Sequence, residues 1–245
     1  MLCKVPEVTL GFWIVKIAAT TLGETGGDAV SMSLDLGYLV STLIFAVIFL
    51  LAVSAQVRAD KFHPLRYWVT IIATTTVGTT LADFADRSLG IGYAGGASLL
   101  LMLLMASLLL WQKTLGSVSF RSVGDPRSEA FYWATILFSQ TLGTALGDWV
   151  ADSAGLGYGG GAVLFGALLA LVAAAYLWTA LSRSLLFWAA FILTRPLGAV
   201  VGDFLDKPVS AGGLALSRYG ASAALIAFVL LWLLFFRQRA AQAGH

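Results

Sequence analysis

The sequence predicts an all-α membrane protein of eight transmembrane helices, arranged as four parallel helical-hairpin repeats with a pseudo-fourfold arrangement. Three observations predict it: a composition too apolar for a soluble core, eight apolar runs of membrane length, and a motif that occurs four times. Of the 245 residues, 59% are hydrophobic and 11% are charged, whereas soluble domains carry about 25% charged residues. Lipid is therefore the expected solvent, and residues 1–245 are predicted to form a single membrane domain.

A helix crosses a bilayer with about 20 predominantly apolar residues. Eight runs have this length, and they are continuous instead of alternating, which favours helices over a β-barrel. The first run is expected to be a retained span and not a cleaved signal, because it is long and carries Lys16 in its middle. The eight predicted spans are 8–27, 38–56, 67–85, 93–112, 131–150, 158–181, 186–203 and 219–236.

Basic residues are unequally divided between the two sides of these spans. Three lie on one side, namely Arg87, Lys207 and Arg218. Ten lie on the other: Lys4, Arg58, Lys61, Arg66, Lys113, Arg121, Arg127, Arg183, Arg237 and Arg239. By the positive-inside rule, the side with ten is cytoplasmic. Both termini are therefore predicted to be cytoplasmic.

One eight-residue motif that ends in aspartate closes each odd-numbered span. Its copies are Thr21–Asp28, Thr76–Asp83, Thr141–Asp148 and Pro196–Asp203, and each Asp follows a tryptophan by fifteen residues. The predicted repeats are 8–57, 66–113, 130–182 and 185–237. Each repeat crosses the membrane twice, so all four enter it in the same direction, about an axis along the membrane normal. Residues 114–130 between the halves are predicted to form a solvated loop.

Each odd helix carries two ridges of residues spaced four apart, which lie on one helix face. The first, at one, five and nine residues before each Asp, holds only small residues, a pattern that lets helices approach closely in lipid. The second begins at the Asp and holds most polar residues of these spans. Charges at membrane depth rarely face lipid, so this polar ridge is expected to line an axial path open toward the outside. The even helices are expected to form an outer ring.

The polar ridge predicts a binding site for a hard cation. A helix C-terminus carries partial negative charge and disfavours Asp, and a cation would relieve this repulsion. Carboxylates and hydroxyls suit Mg²⁺, Ca²⁺, Mn²⁺, Na⁺ or H⁺, and neither of the two His nor the single Cys lies on the ridge. The predicted residues are Asp28, Asp83, Asp148, Asp203, Glu24, Thr79 and Thr144, with the four Asp as metal ligands. The one cofactor the pattern suggests is a bound divalent cation.

Lys16 and Arg195 are expected to act as internal counter-charges that compete with a transported cation. Each lies eight residues from the nearest acid on its own ridge, which is too far for a direct pair on one helix. Each is therefore expected to reach an acid or hydroxyl on a neighbouring helix. Ile71, Ile136 and Phe191, together with Lys16, are expected to close the path on the cytoplasmic side.

Plainer structural interpretations exist for the same residues. The four motif Asp residues would also serve as solvated caps at the membrane boundary, and Lys16 with Glu24 as a structural buried pair. Asp86, Asp152 and Asp206 are expected to cap the outer loops. The four motif tryptophans are expected to form an interfacial belt.

These patterns favour a transporter or channel for a hard cation, with the lipid bilayer and an inorganic cation as partners. The alternative is a structural or signalling membrane protein without transport. An intramembrane enzyme is less favoured, since no span contains a His and no paired-Asp protease motif is present, so the protein is expected not to be an enzyme. Nucleic acid is not an expected partner, and an oligomer remains open.

The repeated Thr-Leu-Gly-x-x-x-Gly-Asp element, preceded by an aromatic-Trp pair, resembles a family of bacterial polytopic membrane proteins that carry only the label membrane-anchored. The aromatic-Trp pairs are Phe12-Trp13, Tyr67-Trp68, Tyr132-Trp133 and Phe187-Trp188. The resemblance covers nearly the whole chain and implies a multi-pass protein of the bacterial inner (plasma) membrane. It implies no activity and no site residues. Repeat four departs from the pattern with Arg195 and Pro196, and repeat one with Lys16 and Glu24.

Overall fold

The computed structural model describes residues 3–242, which form eight α-helices and short turns of other helical types. Each helix coincides with one predicted span to within about five residues, which confirms the predicted all-helical architecture. The helices are α1 (Leu10–Asp28), α2 (Gly37–Val57), α3 (Pro64–Asp83), α4 (Tyr93–Leu115), α5 (Pro126–Asp148), α6 (Gly157–Trp178), α7 (Arg183–Asp206) and α8 (Arg218–Phe235).

Five of these helices, α2, α4, α6, α7 and α8, are long and apolar enough to cross a membrane by length and composition. The remaining three, α1, α3 and α5, carry the Thr-rich polar ridge, which lowers their mean hydropathy. They bury that ridge against other helices. Their polarity therefore reflects an interior position in the bundle.

The odd helices form a closed ring, in which α1 packs against α3, α3 against α5, α5 against α7, and α7 against α1. The even helices lie outside this ring and expose large apolar side chains such as Leu51, Met102 and Leu171. Each even helix packs mainly on the odd helix of the following repeat, and α8 closes the circle on α1. The two helices of one repeat are thus splayed apart, and the even helix of each repeat packs on the odd helix of the next.

Glycines five residues before each motif Asp allow neighbouring odd helices to pack closely. Each would place a Cβ against the residue that lies eight positions before the Asp of the next repeat, so small and polar ridges interlock around the axis. The four glycine–neighbour pairs are Gly23 with Thr75, Gly78 with Gln140, Gly143 with Arg195, and Gly198 with Thr20. The predicted close approach of the odd helices is confirmed.

The motif helices end in two different ways. A five-residue π-helical turn continues α1, α3 and α5, as Ala29–Ser33, Phe84–Ser88 and Trp149–Ser153. By contrast, α7 continues as α-helix to Asp206 and is followed by a 3₁₀ turn at Val209–Ala211. Repeat four therefore has the longest connection between its two helices.

The opposite end of the ring, which carries the motif tryptophans and is called the Trp end below, is closed by aromatic rings. The aromatic residue before each motif Trp packs on the Trp of the next repeat. The pairs Phe12–Trp68, Tyr67–Trp133, Tyr132–Trp188 and Phe187–Trp13 have ring centroids 5.4, 5.8, 6.1 and 5.9 Å apart. The Tyr67 and Tyr132 hydroxyls lie 2.7 Å apart.

The expected interfacial belt of motif tryptophans is therefore wrong. Trp68, Trp133 and Trp188 are buried and only Trp13 is partly exposed. The belt expectation treated each Trp as the boundary marker of an isolated span. The cyclic pairing instead turns these side chains inward, where they form a buried cluster of rings, called the aromatic plug below. Ile71, Ile136 and Phe191 pack in the same cluster.

The middle of residues 114–130 is not a solvated loop, contrary to the prediction. Phe120 is buried and stacks on Phe187 with ring centroids 4.3 Å apart. The indole Nε1 of Trp188 donates to the Val118 carbonyl at 2.9 Å. The linker thus covers the aromatic plug, because its apolar residues offer a second layer to the rings beneath.

A capping box starts α5 within this linker. The Asp125 carboxylate accepts from the Ser128 amide, and the Ser128 hydroxyl accepts from the Asp125 amide. The Ser128 hydroxyl also donates to the carboxylate at 2.6 Å, and this hydrogen bond lowers the pKa of Asp125 below its usual value.

Replacing Asp125 with alanine is expected to lower the free energy of unfolding by about 1 kcal/mol, the usual cost of losing an N-cap side chain. Because the pKa of Asp125 is lowered on folding, its contribution is present above the unfolded-state pKa. It is lost as the pH falls through the folded-state pKa. Thermal unfolding in detergent at pH 7 and at pH 3 checks this. Asp60→Ala, at an exposed loop position, is the control, and equal losses for both variants at pH 7 would contradict the capping role.

Candidate cation-binding site

The four motif Asp residues meet at one end of the ring, called the Asp end below. Their exposed fractions are only 1–3%. Two basic side chains join them in pairs, each at an interface between two repeats. Arg87 contacts Asp83 at 2.9 Å and Asp148 at 3.2 Å. Lys207 contacts Asp203 at 3.0 Å and Asp28 at 2.7 Å.

The two bridging bases follow from a shared local sequence. Repeats two and four continue past the motif as Asp-Phe-x-Asp-Arg/Lys, in 83–87 and 203–207, whereas repeats one and three do not. A base four residues after an Asp reaches that Asp on the same helical face. In each case the same base also reaches the Asp of the next repeat, so the Asp end has a pseudo-twofold arrangement imposed on its four repeats.

A third base, Arg218, enters the cluster from the start of α8. Its guanidinium Nε lies 2.8 Å from an Asp206 oxygen and 3.8 Å from an Asp28 oxygen. Asp206 is thereby tied by an ion pair across the long connection of repeat four, and its expected role as a loop cap stays a prediction. Of the other two residues expected to cap loops, Asp86 is buried and Asp152 is exposed.

Sequence reasoning assigned these three bases to one side of the membrane and did not pair them with the motif Asp residues. Their spacing four residues after Asp83 and Asp203 was a signal that could have identified two of them. The expected opening toward the outside is contradicted in the described residues 3–242, where the four motif Asp side chains are only 1–3% exposed. Three basic side chains, those of Arg87, Lys207 and Arg218, cover the motif Asp residues. Their positive charges offset the repulsion between the crowded carboxylates, which holds the bases in this position.

Beneath this cover, three carboxylates from three repeats converge near the axis. One oxygen from each of Glu24, Asp148 and Asp203 lies within 4.8 Å of the other two. All three side chains are buried. A second group, Asp28, Asp203 and Asp206, has the same spacing. Lys207 and Arg218 join its members to one another, whereas each member of the first group contacts a different base.

Arg195 lies at the centre of the ring and is fully buried. Its Nη2 atom donates to the Glu24 carboxylate at 2.9 Å and also to the hydroxyls of Thr79 and Thr144. One side chain of repeat four thus contacts a polar-ridge residue from each of the other three repeats. The expectation that Arg195 reaches an acid on a neighbouring helix is confirmed.

The sequence makes room for Arg195 in two ways. Repeat four has Ala199 where the equivalent positions of repeats one to three have Glu24, Thr79 and Thr144. The small side chain of Ala199 leaves space at this level of the ring, and the guanidinium of Arg195, which starts one helical turn below, fills that space. On the neighbouring helix, a Cβ at Gly143 would lie 2.5 Å from the Cβ of Arg195. Only glycine accommodates the side chain there.

Lys16 lies deeper and is also fully buried. Its Nζ is 3.4 Å from the Thr194 hydroxyl and 4.1 Å from the centre of the Phe191 ring. Within residues 3–242, no carboxylate lies within 4.0 Å of it. Lys16 therefore meets the hydroxyl that was expected, on α7, and does not pair with Glu24.

The contacts leave the site short of positive charge. Six carboxylates are connected in the network, and four basic groups contact them. If all are ionised, two negative charges remain uncompensated, which is costly in a buried site. One divalent cation, two monovalent cations or two protons would balance them.

Polar atoms without a protein partner also lie along the ring. Both amide atoms of Gln140 and the hydroxyl of Thr75 are buried and make no hydrogen bond within the described residues. Such atoms normally have a partner, which includes ordered water. The interior of the ring is therefore a polar column with unused ligand atoms, between the Asp cluster and the aromatic plug.

Comparison with known proteins identifies a family by sequence. The family model described as "Repeat of Unknown Function (DUF347)" matches four times, at residues 11–62, 66–116, 131–182 and 186–240. These ranges agree with the four repeats inferred from the Asp motif and from the packing. No curated protein and no solved structure matches the chain.

Proposed function

We propose that this chain, which belongs to the family described as a Repeat of Unknown Function (DUF347), is a membrane transporter or channel for a hard cation. In this proposal all eight helices cross a bacterial inner membrane and both termini are cytoplasmic. The Asp end then faces outward, as the distribution of basic residues favours. The cation binds on the ring axis beneath the bridging bases.

The single observation that carries the proposal is the convergence of Glu24, Asp148 and Asp203, each from a different repeat, within 4.8 Å at a buried point. Three carboxylates at this separation repel one another strongly in a medium of low dielectric constant. Oxygen ligands from several helices are typical of sites for Na⁺, Ca²⁺, Mg²⁺ or Mn²⁺. The Thr79 hydroxyl lies 3.3 Å from a Glu24 carboxylate oxygen, and the Thr144 hydroxyl contacts Arg195, which also contacts Glu24.

In this proposal the surrounding bases allow a cation to bind and to be released. Arg87 and Lys207 hold carboxylates that a cation would otherwise bind, so the cation and these bases compete for the same oxygens. A cation that enters would weaken the ion pairs that cover the site. Arg195 competes for Glu24 from below in the same way. This role of internal counter-charge requires that the bases move when the cation binds.

One specific observation favours the alternative, a structural or signalling protein without transport. Every motif Asp already contacts a basic side chain. Such a network would hold the four repeats together without any ion. The two functions differ in whether a cation stabilises the protein and crosses the membrane with it.

The test uses the full chain in detergent and in proteoliposomes with a panel of Mn²⁺, Mg²⁺, Ca²⁺ and Na⁺, with a pH-sensitive dye for H⁺. At a concentration far above its Kd, the transported cation should raise the thermal unfolding temperature by several degrees. Asp148→Asn should abolish that increase and reduce uptake by about tenfold or more.

Asp152→Asn removes the same charge four residues away at an exposed position, and it should preserve both the stabilisation and the uptake. If no cation of the panel stabilises the wild-type protein or enters the vesicles, the transport proposal fails and the structural alternative stands.

A further inference from the structure

A cleft of about 460 Å³ lies at the Trp end, between the segment before α1 and the end of α8. Two basic residues, Arg237 and Arg239, and two aromatic residues, Trp232 and Phe236, line it. Glu7 and Thr9 also line it. The cleft is remote from the Asp cluster, and the proposed cation site makes no use of it.

The walls of the cleft are held in place by hydrogen bonds between distant parts of the chain. The Glu7 amide donates to the Arg239 carbonyl at 2.9 Å, next to a bridge between Pro6 and Ala240. Gln238 accepts from the indole Nε1 of Trp68 at 2.8 Å. The backbone that carries both arginines is therefore fixed against the helical bundle.

Two properties of the cleft indicate what it binds. Arg237 and Arg239 are exposed and form no ion pair within residues 3–242, so their positive charge is available. Beside the cleft, Leu10, Leu234 and Phe235 are 77%, 79% and 78% exposed. Such side chains at the ends of apolar helices are expected to contact lipid.

We propose that this cleft binds the headgroup of an anionic phospholipid, with Arg237 and Arg239 contacting the phosphate. The acyl chains would lie along the exposed apolar side chains at the end of α8, and Trp232 and Phe236 would sit at headgroup depth. Basic pockets at helix ends bind anionic lipid headgroups in this manner. A volume of a few hundred cubic ångströms is typical of small-molecule sites.

Glu7 provides a test of opposite sign. Its carboxylate lines the same cleft and repels an anionic headgroup. Glu7→Gln should therefore strengthen the binding, whereas removal of the arginines should weaken it. Misfolding does not produce a gain in affinity, so this variant separates a lost site from a damaged protein.

Native mass spectrometry of the full chain in detergent measures the binding of phosphatidylglycerol and of phosphatidylcholine. Wild type should prefer phosphatidylglycerol, and the double variant Arg237→Gln/Arg239→Gln should lose about tenfold or more in affinity for it. Arg58→Gln/Lys61→Gln, which removes two exposed charges at the same end, should bind within about twofold of wild type. Glu7→Gln should bind more tightly than wild type.

Inorganic phosphate alone, at the same concentration, should not compete with the lipid. Equal affinity of wild type and the Arg237/Arg239 variant would overturn the proposal, as would equal binding of the two lipids. A control variant that loses as much affinity as the cleft variant would overturn it too, because the preference would then reflect general surface charge.

Discussion

Replacing Arg195 with methionine is expected to lower the free energy of unfolding by about 3–5 kcal/mol, the cost of removing one partner of a buried ion pair. The guanidinium contacts Glu24, Thr79 and Thr144, one residue from each other repeat. Its loss leaves a buried carboxylate without its base and two hydroxyls without their shared donor. Thermal and denaturant unfolding in detergent measure the loss.

The double variant Glu24→Gln/Arg195→Met separates the missing contact from the uncompensated charge. It should recover a large part of the lost stability, because it removes the carboxylate that Arg195 compensates. Strictly additive losses would contradict the pair as the main function of Arg195. Cation uptake by Arg195→Met and by Lys16→Met provides a second measurement, and unchanged folding with unchanged uptake would remove these residues from the transport mechanism.

Gly143→Ala is expected to have the second-largest effect. The new Cβ would lie 2.5 Å from the Cβ of Arg195 and 3.0 Å from the Cδ of Pro196. These atoms belong to the first part of a side chain and to a proline ring, so α5 and α7 must separate to relieve the overlap. Overpacking of this kind costs about 1–3 kcal/mol and occasionally more.

Gly166→Ala is the matched control, since Gly166 lies within α6 and a Cβ there would meet no atom within 4 Å. It should leave the thermal unfolding temperature unchanged or slightly higher, because Ala favours helix more than Gly does. For a chain of this size, a loss of 2 kcal/mol lowers that temperature by roughly 4–8 °C. Equal unfolding temperatures for the two variants would show that the ring is looser at this interface than described.

The repeats and the helices could be predicted from sequence because their causes are periodic. Apolar runs of membrane length predict helices without any tertiary information, and the fourfold recurrence of the Asp motif predicts equivalent positions around an axis. The convergence of Asp28, Asp83, Asp148 and Asp203 follows from that equivalence. The small ridge that contains Gly143 could be predicted to be a contact surface between helices. That Arg195 is the residue packed against Gly143 could not be predicted from the ridge alone.

What could not be predicted depends on contacts between different repeats. Whether Arg87 is solvated or bridges two carboxylates depends on how closely α3 and α5 approach, which no spacing within one helix encodes. Trp68 is a tryptophan at the end of an apolar span, which is typical of the membrane boundary. Only its packing on Phe12 of the preceding repeat shows that it is interior. Phe120 in the linker is buried for the same reason, since the aromatic plug beneath it exists only in the assembled ring.

The central claim is that Glu24, Asp148 and Asp203 together bind a cation. The most direct measurement is anomalous X-ray scattering from crystals grown with Mn²⁺, and with Tl⁺ as a monovalent probe. The account predicts one anomalous peak on the ring axis, within bonding distance of those three carboxylates and absent from Asp148→Asn crystals. Peaks confined to the protein surface with both ions, in crystals of the wild-type protein, would contradict it.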